Sequence, residues 1–191
     1  MTLEHKVGVG ILLAAGSGSR FGGPSHKLLA KIDGKRVISF AVDALISAKL
    51  EHKVVVGGYV NLSNIVPPGL VVLDNPNWEN GMATSLQVGI SYALEVDADF
   101  VVVGLGDQPF VSSSAWTKLA GLQGCLLAVA SYDGVARNPV RIDRSLFDRL
   151  PTHGDEGARR LIRENRDRVC YVECEGSPFD IDTLEDLERW R

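Results

Sequence analysis

Short runs of apolar residues alternate with segments of helical periodicity along most of the chain. Runs that are almost continuously apolar predict buried β-strands, and these are Val7–Ala14, Lys53–Val56, Leu70–Leu73, Phe100–Leu105, Leu126–Ala130 and Val169–Glu173. Apolar residues three and four positions apart predict helices, and these are Val37–Ala48, Gly81–Leu94, Ser112–Leu122, Asp143–Leu150, Glu156–Glu164 and Thr183–Trp190. Strands and helices therefore alternate through the sequence.

This alternation is typical of a mostly parallel sheet that is covered on both faces. We therefore predict an α/β fold with three layers, α/β/α, and a Rossmann-like, mostly parallel sheet. The chain has 191 residues without an internal repeat or a long linker, so we expect a single domain over residues 1–191. Ligands of such sheets bind beyond the carboxyl ends of the strands, which directs attention to the loops 15–27 and 106–109.

The composition narrows the class of partner. Hydrophobic residues make up 45% of the chain, charged residues 23%, and the formal net charge is −4 without a long run of one sign. These values are ordinary for a soluble globular protein and argue against a nucleic acid or a membrane surface as partner. The first apolar run spans only about nine residues before a glycine-rich loop, which favours a strand over a signal peptide, and we expect a cytoplasmic protein.

The cysteines do not predict a covalent framework. Their number is three, and an odd, sparse count is not typical of disulfide-rich domains. Cys170 and Cys174 fall in a strand-like run, which would hold them roughly 13 Å apart and too far for a disulfide. We also expect no zinc site, because further thiols or histidines are not evident nearby.

The loop after the first strand carries the residues of a phosphate site. It contains four glycines, Arg20 and Lys27; glycine backbone can line its N–H groups along phosphate oxygens, and the two side chains supply positive charge. The spacing excludes two common phosphate loops, because Leu28 follows Lys27 where a P-loop needs Ser or Thr, and Phe21 replaces the last glycine of GxGxxG. By composition alone, a flexible surface loop remains the alternative.

The same loop resembles the L-A-A-G-x-G-x-R-…-K signature of nucleotidyltransferases, and the matching residues are Leu13, Ala14, Ala15, Gly16, Gly18, Arg20, Gly22 and Lys27. The chain is most similar to the MobA-like family, particularly the molybdenum cofactor cytidylyltransferases. The likeness extends through further segments, namely Asn75–Leu86, Gly106–Pro109, Asn138–Val140, Gly154–Arg159 and Asp180–Asp186. It implies the nucleotide-diphospho-sugar transferase type of the predicted fold.

The resemblance also implies site residues. Those expected at the nucleotide are Leu13, Ala14, Ala15, Gly16, Gly18, Arg20, Lys27, Gly81, Ser85 and Asp107. Among them Arg20, Lys27 and Asp107 are expected to be catalytic. Gly81 would allow a base to approach closely and Ser85 would hydrogen-bond to it, although the segment also fits an ordinary helix N-terminus.

Carboxylates at two places suggest a magnesium site. Asp107 follows a buried strand, where a carboxylate can bind Mg²⁺ together with substrate phosphates, although the same residues make a good turn. Asp180 and Asp182 share one face of an extended segment. Asp182 or Thr183 could instead cap the last helix with Asp186. The resemblance implies that Asp107 and Asp182 face the metal.

The acceptor side is expected to include Asn138, Asp155, Arg159 and Asp180. Asn138 occupies the position where the family often has histidine, in G-H-P-V. Asp155 lies near a predicted helix start and could be only a cap, and Arg159 could be only a solvated side chain. The resemblance names the acceptor as the phosphate of the molybdopterin form of the molybdenum cofactor.

The implied reaction is Mg²⁺-dependent transfer of CMP from CTP to that phosphate, with release of pyrophosphate. Ala15 favours CTP, because L-A-A-G accompanies cytidine in the family and L-A-G-G accompanies guanosine; one methyl group contributes roughly 1–3 kcal/mol of discrimination. A molybdoenzyme or its chaperone would receive the product. The alternatives are a GTP-using guanylyltransferase, a nucleotidyltransferase for a sugar 1-phosphate or polyol phosphate, a non-catalytic cofactor carrier and an NTP-binding regulator.

Overall fold

A central seven-stranded sheet organises the protein. The computed structural model describes residues 6–190 and contains, within them, the strands β1 (Gly8–Leu13), β2 (Lys31–Ile32), β3 (Lys35–Arg36), β4 (His52–Gly57), β5 (Val71–Asp74), β6 (Phe100–Leu105), β7 (Leu127–Tyr132), β8 (Val135–Asp143) and β9 (Val169–Glu173). The sheet has the order β5-β4-β1-β6-β8-β7-β9, and β2 and β3 form a separate small hairpin. The predicted strands are all present, with ends shifted by at most two residues.

All strands of the large sheet except β8 run in the same direction. β1 pairs in parallel with β4 and β6, β4 with β5, and β7 with β9, whereas β8 is antiparallel to β6 and β7. The hydrophobic pattern did not predict β8, because Pro139 interrupts it and proline is disfavoured inside a sheet. The register between β7 and β8 shifts between Val129 and Ala130, and this irregularity accommodates the proline.

Residues 6–190 also contain five α-helices: α1 (Val37–Ser47), α2 (Met82–Glu95), α3 (Ser113–Ala120), α4 (Arg159–Glu164) and α5 (Leu184–Glu188). Side chains of α1 and α3 pack with one face of the sheet, and those of α2 and α4 pack with the other. The two faces of β1 show this division, since Leu12 belongs to the first cluster and Ile11 to the second. The predicted three-layer, mostly parallel α/β fold is thus confirmed.

Two predicted helices differ from the observed ones. Asp143–Leu150 is a 3-10 helix, Arg144–Arg149, rather than an α-helix. Glu156–Glu164 becomes helical only at Arg159.

A third apolar cluster brings two distant segments together beside the sheet. It contains Phe21, Ala30, Ile32, Val37, Ile181 and Leu187. The backbone N–H of Ile181 also donates to the carbonyl of Asp107 (2.9 Å). The C-terminal segment is therefore held against the loop that follows β6, and the glycine-rich loop lies next to both.

The cysteine prediction was wrong in one respect. Cys125 and Cys170, separated by 45 positions in sequence, form a disulfide. The register of β7 and β9 explains it, because Ala128 lies opposite Cys170 and Cys125 is just upstream. Cys174 is a free, buried thiol, so the expected absence of a Cys170–Cys174 bond agrees with the structure. Within residues 6–190, no helix is long and apolar enough to cross a membrane.

Candidate active site

A cavity of about 610 Å³ opens beyond the carboxyl ends of β1 and β6. The predicted site residues that line it are Leu13, Ala14, Ala15, Gly16, Gly18, Arg20, Lys27, Gly81, Ser85, Asp107, Asp155, Arg159, Asp180 and Asp182. Only Asn138 of the predicted set is not among the lining residues. Residues from both ends of the chain therefore converge where a parallel sheet binds its ligands.

Lys27 forms ion pairs with two carboxylates of the cavity. Its Nζ lies 2.5 Å from Asp107 Oδ2 and 2.7 Å from Asp182 Oδ1. Burial disfavours the ammonium form, but the charge of Asp107, its hydrogen bond and the nearby Asp182 outweigh that effect and raise the pKa of Lys27. Lys27 therefore keeps its positive charge at neutral pH and lies between two carboxylates that would otherwise repel each other more strongly.

The carboxylate pair suits a magnesium ion. Asp107 Oδ1 is buried without a hydrogen-bond partner, which leaves one anionic oxygen available to a cation. Within residues 6–190, no group of three or more histidine, cysteine, aspartate and glutamate side chains is arranged to hold a metal alone. Mg²⁺ commonly binds through one or two carboxylates plus substrate phosphates, so Asp107 and Asp182 fit this ion once a triphosphate shares the site.

Arg20 brings a second positive charge to Asp182. Its Nη2 is 3.0 Å from Asp182 Oδ2, and the Arg20 side chain is 78% exposed. An ion pair that exposed contributes little to stability. Arg20 is consequently free to turn its planar guanidinium towards phosphate oxygens, for which its geometry is well suited.

The structure decides what caps the last helix. Thr183 is the N-cap of α5, and it forms a capping box with Asp186: Thr183 Oγ1 accepts from the N–H of Asp186, whose carboxylate accepts from the N–H of Thr183. Asp182 takes no part through its side chain, which instead faces Lys27. The capping box thus fixes the backbone immediately after Asp182 and leaves its carboxylate available to the cavity.

Asp180 lies beside Asp107 and Asp182, and it is held there by a residue that the sequence did not single out. Gln108 is buried, and its Nε2 donates to Asp180 Oδ1 (2.9 Å) and to the carbonyl of Pro178 (3.0 Å). Burial, and then the charge of Asp107, raise the pKa of Asp180. A carboxylate in this position would be stabilised by any cation that joined the site.

His26 closes the glycine-rich loop on itself. Its Nδ1 accepts from the N–H of Leu28 (3.2 Å), which leaves Nε2 as the donor to the carbonyl of Gly16 (3.0 Å). Burial lowers the pKa of His26, in keeping with this neutral form. Because both ring nitrogens are engaged by the loop backbone, His26 tethers the two ends of the loop.

Two glycines of this loop should respond differently to a methyl group. A Cβ at Gly16 would have no atom within 4 Å, whereas Gly18 has φ +61° and its Cβ would lie 3.0 Å from His26 Nε2 and 3.1 Å from Lys27 Cγ. We expect Gly16→Ala to leave the melting temperature unchanged and to raise the KM for the nucleotide. We expect Gly18→Ala to lower the melting temperature as well, because the left-handed backbone becomes strained.

Thermal unfolding and steady-state kinetics on the two variants check this prediction. A large loss of stability in Gly16→Ala would show that the space beside this residue is needed by the fold rather than by a ligand.

The opposite wall is formed by the start of α2. Ser85 is buried and its Oγ accepts from Asn75 Nδ2 (2.9 Å). Gly81 has φ +98°, and a Cβ there would lie 2.6 Å from the carbonyl carbon and oxygen of Gly154. The chain's own backbone at Gly154 therefore approaches Gly81 closely on one side. Gly81 also lines the cavity, and the approach of a base to it stays a prediction.

Asp155 does act as a cap, but for a different helix from the expected one. Its Oδ1 accepts from the N–H of Met82 (3.1 Å), the first residue of α2, and the carbonyl of Gly154 accepts from the N–H of Ala83 (2.9 Å). Arg159 lines the cavity as an exposed side chain. Its guanidinium makes no hydrogen bond or ion pair with any residue in the described range 6–190. Asp155 thus builds the wall, while Arg159 remains available for an anion.

Asn138 lies on β8, outside the cavity lining, and its carbonyl accepts from the Tyr132 hydroxyl (3.1 Å). Val140, two residues further along β8, pairs with Val103 near the carboxyl end of β6. Asn138 therefore lies at the edge of the sheet where the cavity opens, without lining it, and its role at the acceptor stays a prediction.

The glycine-rich loop with its two cations faces Asp107 at the end of β6 and Asp182 in the C-terminal segment, an arrangement that suits the triphosphate of a nucleotidyltransferase substrate. The chain belongs to the MobA-like NTP transferase domain family, whose model matches residues 10–169.

Several known proteins resemble the chain along most of its length. The purine catabolism protein PucB of Bacillus subtilis is 29% identical over 96% of this chain and 95% of its own length. The 2-C-methyl-D-erythritol 4-phosphate cytidylyltransferase of Prochlorococcus marinus is 31% identical over 74% of this chain and 65% of that protein. The crystal structure of Rv0371c from Mycobacterium tuberculosis superposes with a TM-score of 0.82 at 25% identity and covers 98% of both chains. A second Rv0371c structure, in complex with manganese, has a TM-score of 0.76 at 23% identity and covers 96% of this chain and 97% of that one.

Proposed function

We propose that this nucleotidyltransferase transfers CMP from CTP to the phosphate of a molybdopterin-type molybdenum cofactor, with Mg²⁺, and releases pyrophosphate. The observation that carries the proposal is the placement of Lys27 between Asp107 and Asp182 at the mouth of the glycine-rich loop. This arrangement supplies both a phosphate-binding cation and the two carboxylates that a magnesium–nucleotide complex needs.

The chemistry requires positive charge more than a base. The acceptor nucleophile is a phosphate oxygen that is already anionic, so no side chain has to remove a proton from it. Two anions must approach in line, and Lys27 and Arg20 stabilise the triphosphate and the departing pyrophosphate. Magnesium held by Asp107 and Asp182 would, when bound, supply further charge at the α-phosphate. Arg159, which is free in the cavity wall, is the residue we assign to the acceptor phosphate.

The choice of base rests on Ala15. Ala15 is one of the lining residues and is 4% exposed, and we assign to its methyl group the effect of reducing the room for a purine. One of the relatives is a cytidylyltransferase by name. We therefore assign CTP, and we keep GTP as the second candidate because a single methyl group discriminates by only roughly 1–3 kcal/mol.

The experiment is a pyrophosphate-release assay with the molybdopterin form of the cofactor and each of CTP, GTP, ATP and UTP, with and without Mg²⁺. We expect turnover with CTP only when Mg²⁺ is present, and a shift of relative kcat/KM towards GTP in Ala15→Gly. Turnover with a sugar 1-phosphate or a polyol phosphate, but not with the pterin, would show that the proposed acceptor is wrong. Nucleotide binding without turnover on any acceptor would favour a non-catalytic cofactor carrier.

A further inference from the structure

Asn75 is almost fully buried, with 1% of its surface exposed, and it connects three segments behind the cavity wall. Its backbone N–H donates to the carbonyl of Gly57 at the end of β4 (3.0 Å). Its side chain bonds to the turn at Asn77 and to two hydroxyls of α2, those of Thr84 and Ser85. The family signature includes this asparagine, but the reaction as described above gives it no task.

The backbone fixes which way the Asn75 amide points. The N–H of Asn77 can only donate, and it lies 3.0 Å from the atom assigned as Asn75 Oδ1. The oxygen must therefore face Asn77, and the NH₂ group must face α2. There it donates to Thr84 Oγ1 and to Ser85 Oγ, both at 2.9 Å.

The direction of each remaining hydrogen bond follows from this one. Thr84 Oγ1 accepts from Asn75, and its hydroxyl hydrogen is shared between the carbonyls of Asn77 (3.0 Å) and Gly81 (2.9 Å). Ser85 Oγ likewise accepts from Asn75, but its hydrogen has no acceptor among the residues in the described range. Ser85 is 4% exposed and lines the cavity. The network therefore ends in one O–H donor at the cavity wall.

We infer that Asn75 is a positioning residue that makes the Ser85 hydroxyl a hydrogen-bond donor to the nucleotide base. The base atom that meets Ser85 must then be an acceptor, either a carbonyl oxygen or an unprotonated ring nitrogen, and not an amino group. Cytosine presents both kinds of acceptor on its pyrimidine edge. The inference rests on the proposed use of CTP, and it adds which partner donates the hydrogen bond between Ser85 and the base.

Asn75→Asp tests the direction of the Ser85 hydrogen bond, because the two side chains have almost the same shape. A carboxylate still accepts from the N–H of Asn77, but it also accepts from Ser85, which then turns its lone pairs to the cavity. We expect the Kd and the KM for CTP to rise about tenfold, the effect of one lost hydrogen bond, with kcat unchanged at saturation. Asn77→Asp is the matched control, because it adds the same charge two residues away on an exposed side chain without contacting Ser85.

A double-mutant cycle separates positioning from scaffolding. We expect Ser85→Ala to weaken CTP binding about tenfold and Asn75→Asp/Ser85→Ala to be no weaker than Ser85→Ala alone. Asn75 would instead be a scaffold residue if its substitution weakened binding by a further tenfold in the Ser85→Ala background, and that result overturns the inference. An equal effect of Asn77→Asp also overturns it, because charge alone would then explain the loss.

The cycle also distinguishes this inference from the proposed function. If the wild type binds GTP instead of CTP, the proposed base preference is wrong, and the same cycle measured with GTP decides the polarity independently. If no nucleotide binds to the wild type, both are overturned.

Discussion

Lys27→Met should abolish most of the activity while the protein remains folded. The substitution preserves much of the aliphatic stem but removes the ammonium group that lies within 2.7 Å of both Asp107 and Asp182. Two carboxylates then face the triphosphate without their shared counter-charge. We expect kcat/KM to fall on the order of 10²–10³, as when one preorganised electrostatic contact is removed from an active site.

The control for this variant is Lys49→Met, which changes the net charge equally at an exposed position outside the cavity. Circular dichroism and thermal unfolding establish that both variants are folded, and steady-state kinetics with CTP and acceptor measure the effect. If Lys27→Met keeps activity within threefold of Lys49→Met, the lysine is only a structural partner of the two aspartates.

Gly81→Ala should be the most destabilising single substitution in the cavity wall. Alanine is strained at φ +98°, and its Cβ would lie 2.6 Å from the Gly154 carbonyl and 2.8 Å from Asp155 Oδ1. Relieving that overlap moves Gly154, whose carbonyl and N–H bond to Ala83 and Asn80. We expect the free energy of unfolding to fall by about 2–4 kcal/mol, from backbone strain together with weakened hydrogen bonds.

Gly154→Ala separates the effect of backbone strain from the effect of the steric overlap. Gly154 also has a positive φ (+84°), but a Cβ there would meet no atom within 4 Å. We expect a loss of about 1 kcal/mol from conformation alone. Urea unfolding of both variants gives the comparison. Equal losses would mean that backbone conformation, and not the contact between Gly81 and Gly154, dominates.

The sequence predicted the fold well, because a parallel sheet leaves a strong local signal. Strands buried on both faces, such as β1 and β6, are apolar throughout, and that pattern does not depend on their neighbours. β8 was missed because its pairing is visible only once β6 and β7 lie on either side of it. The disulfide was missed for the same reason, since only the β7–β9 register brings Cys125 to Cys170.

The residues that line the cavity were predictable where an unusual residue stands in a loop after a strand. Glycines and cations after β1, and Asp107 after β6, stand out because parallel strands bring their carboxyl ends together. The roles of His26, Asn75 and Gln108 were not predictable in this way. Each depends on hydrogen bonds whose partners or geometry become apparent only in the folded chain.

The contact between the loop at Gly154 and the start of α2 has a consequence for changing this enzyme's substrates. Asp155 and the Gly154 carbonyl supply acceptors to the first N–H groups of α2, three residues before the wall residue Ser85. The loop that leads to Arg159 therefore helps to hold α2 in place. If Arg159 binds the acceptor and Ser85 the base, as we propose, a redesign of residues 154–159 would also shift α2, and the preferences for acceptor and base would change together.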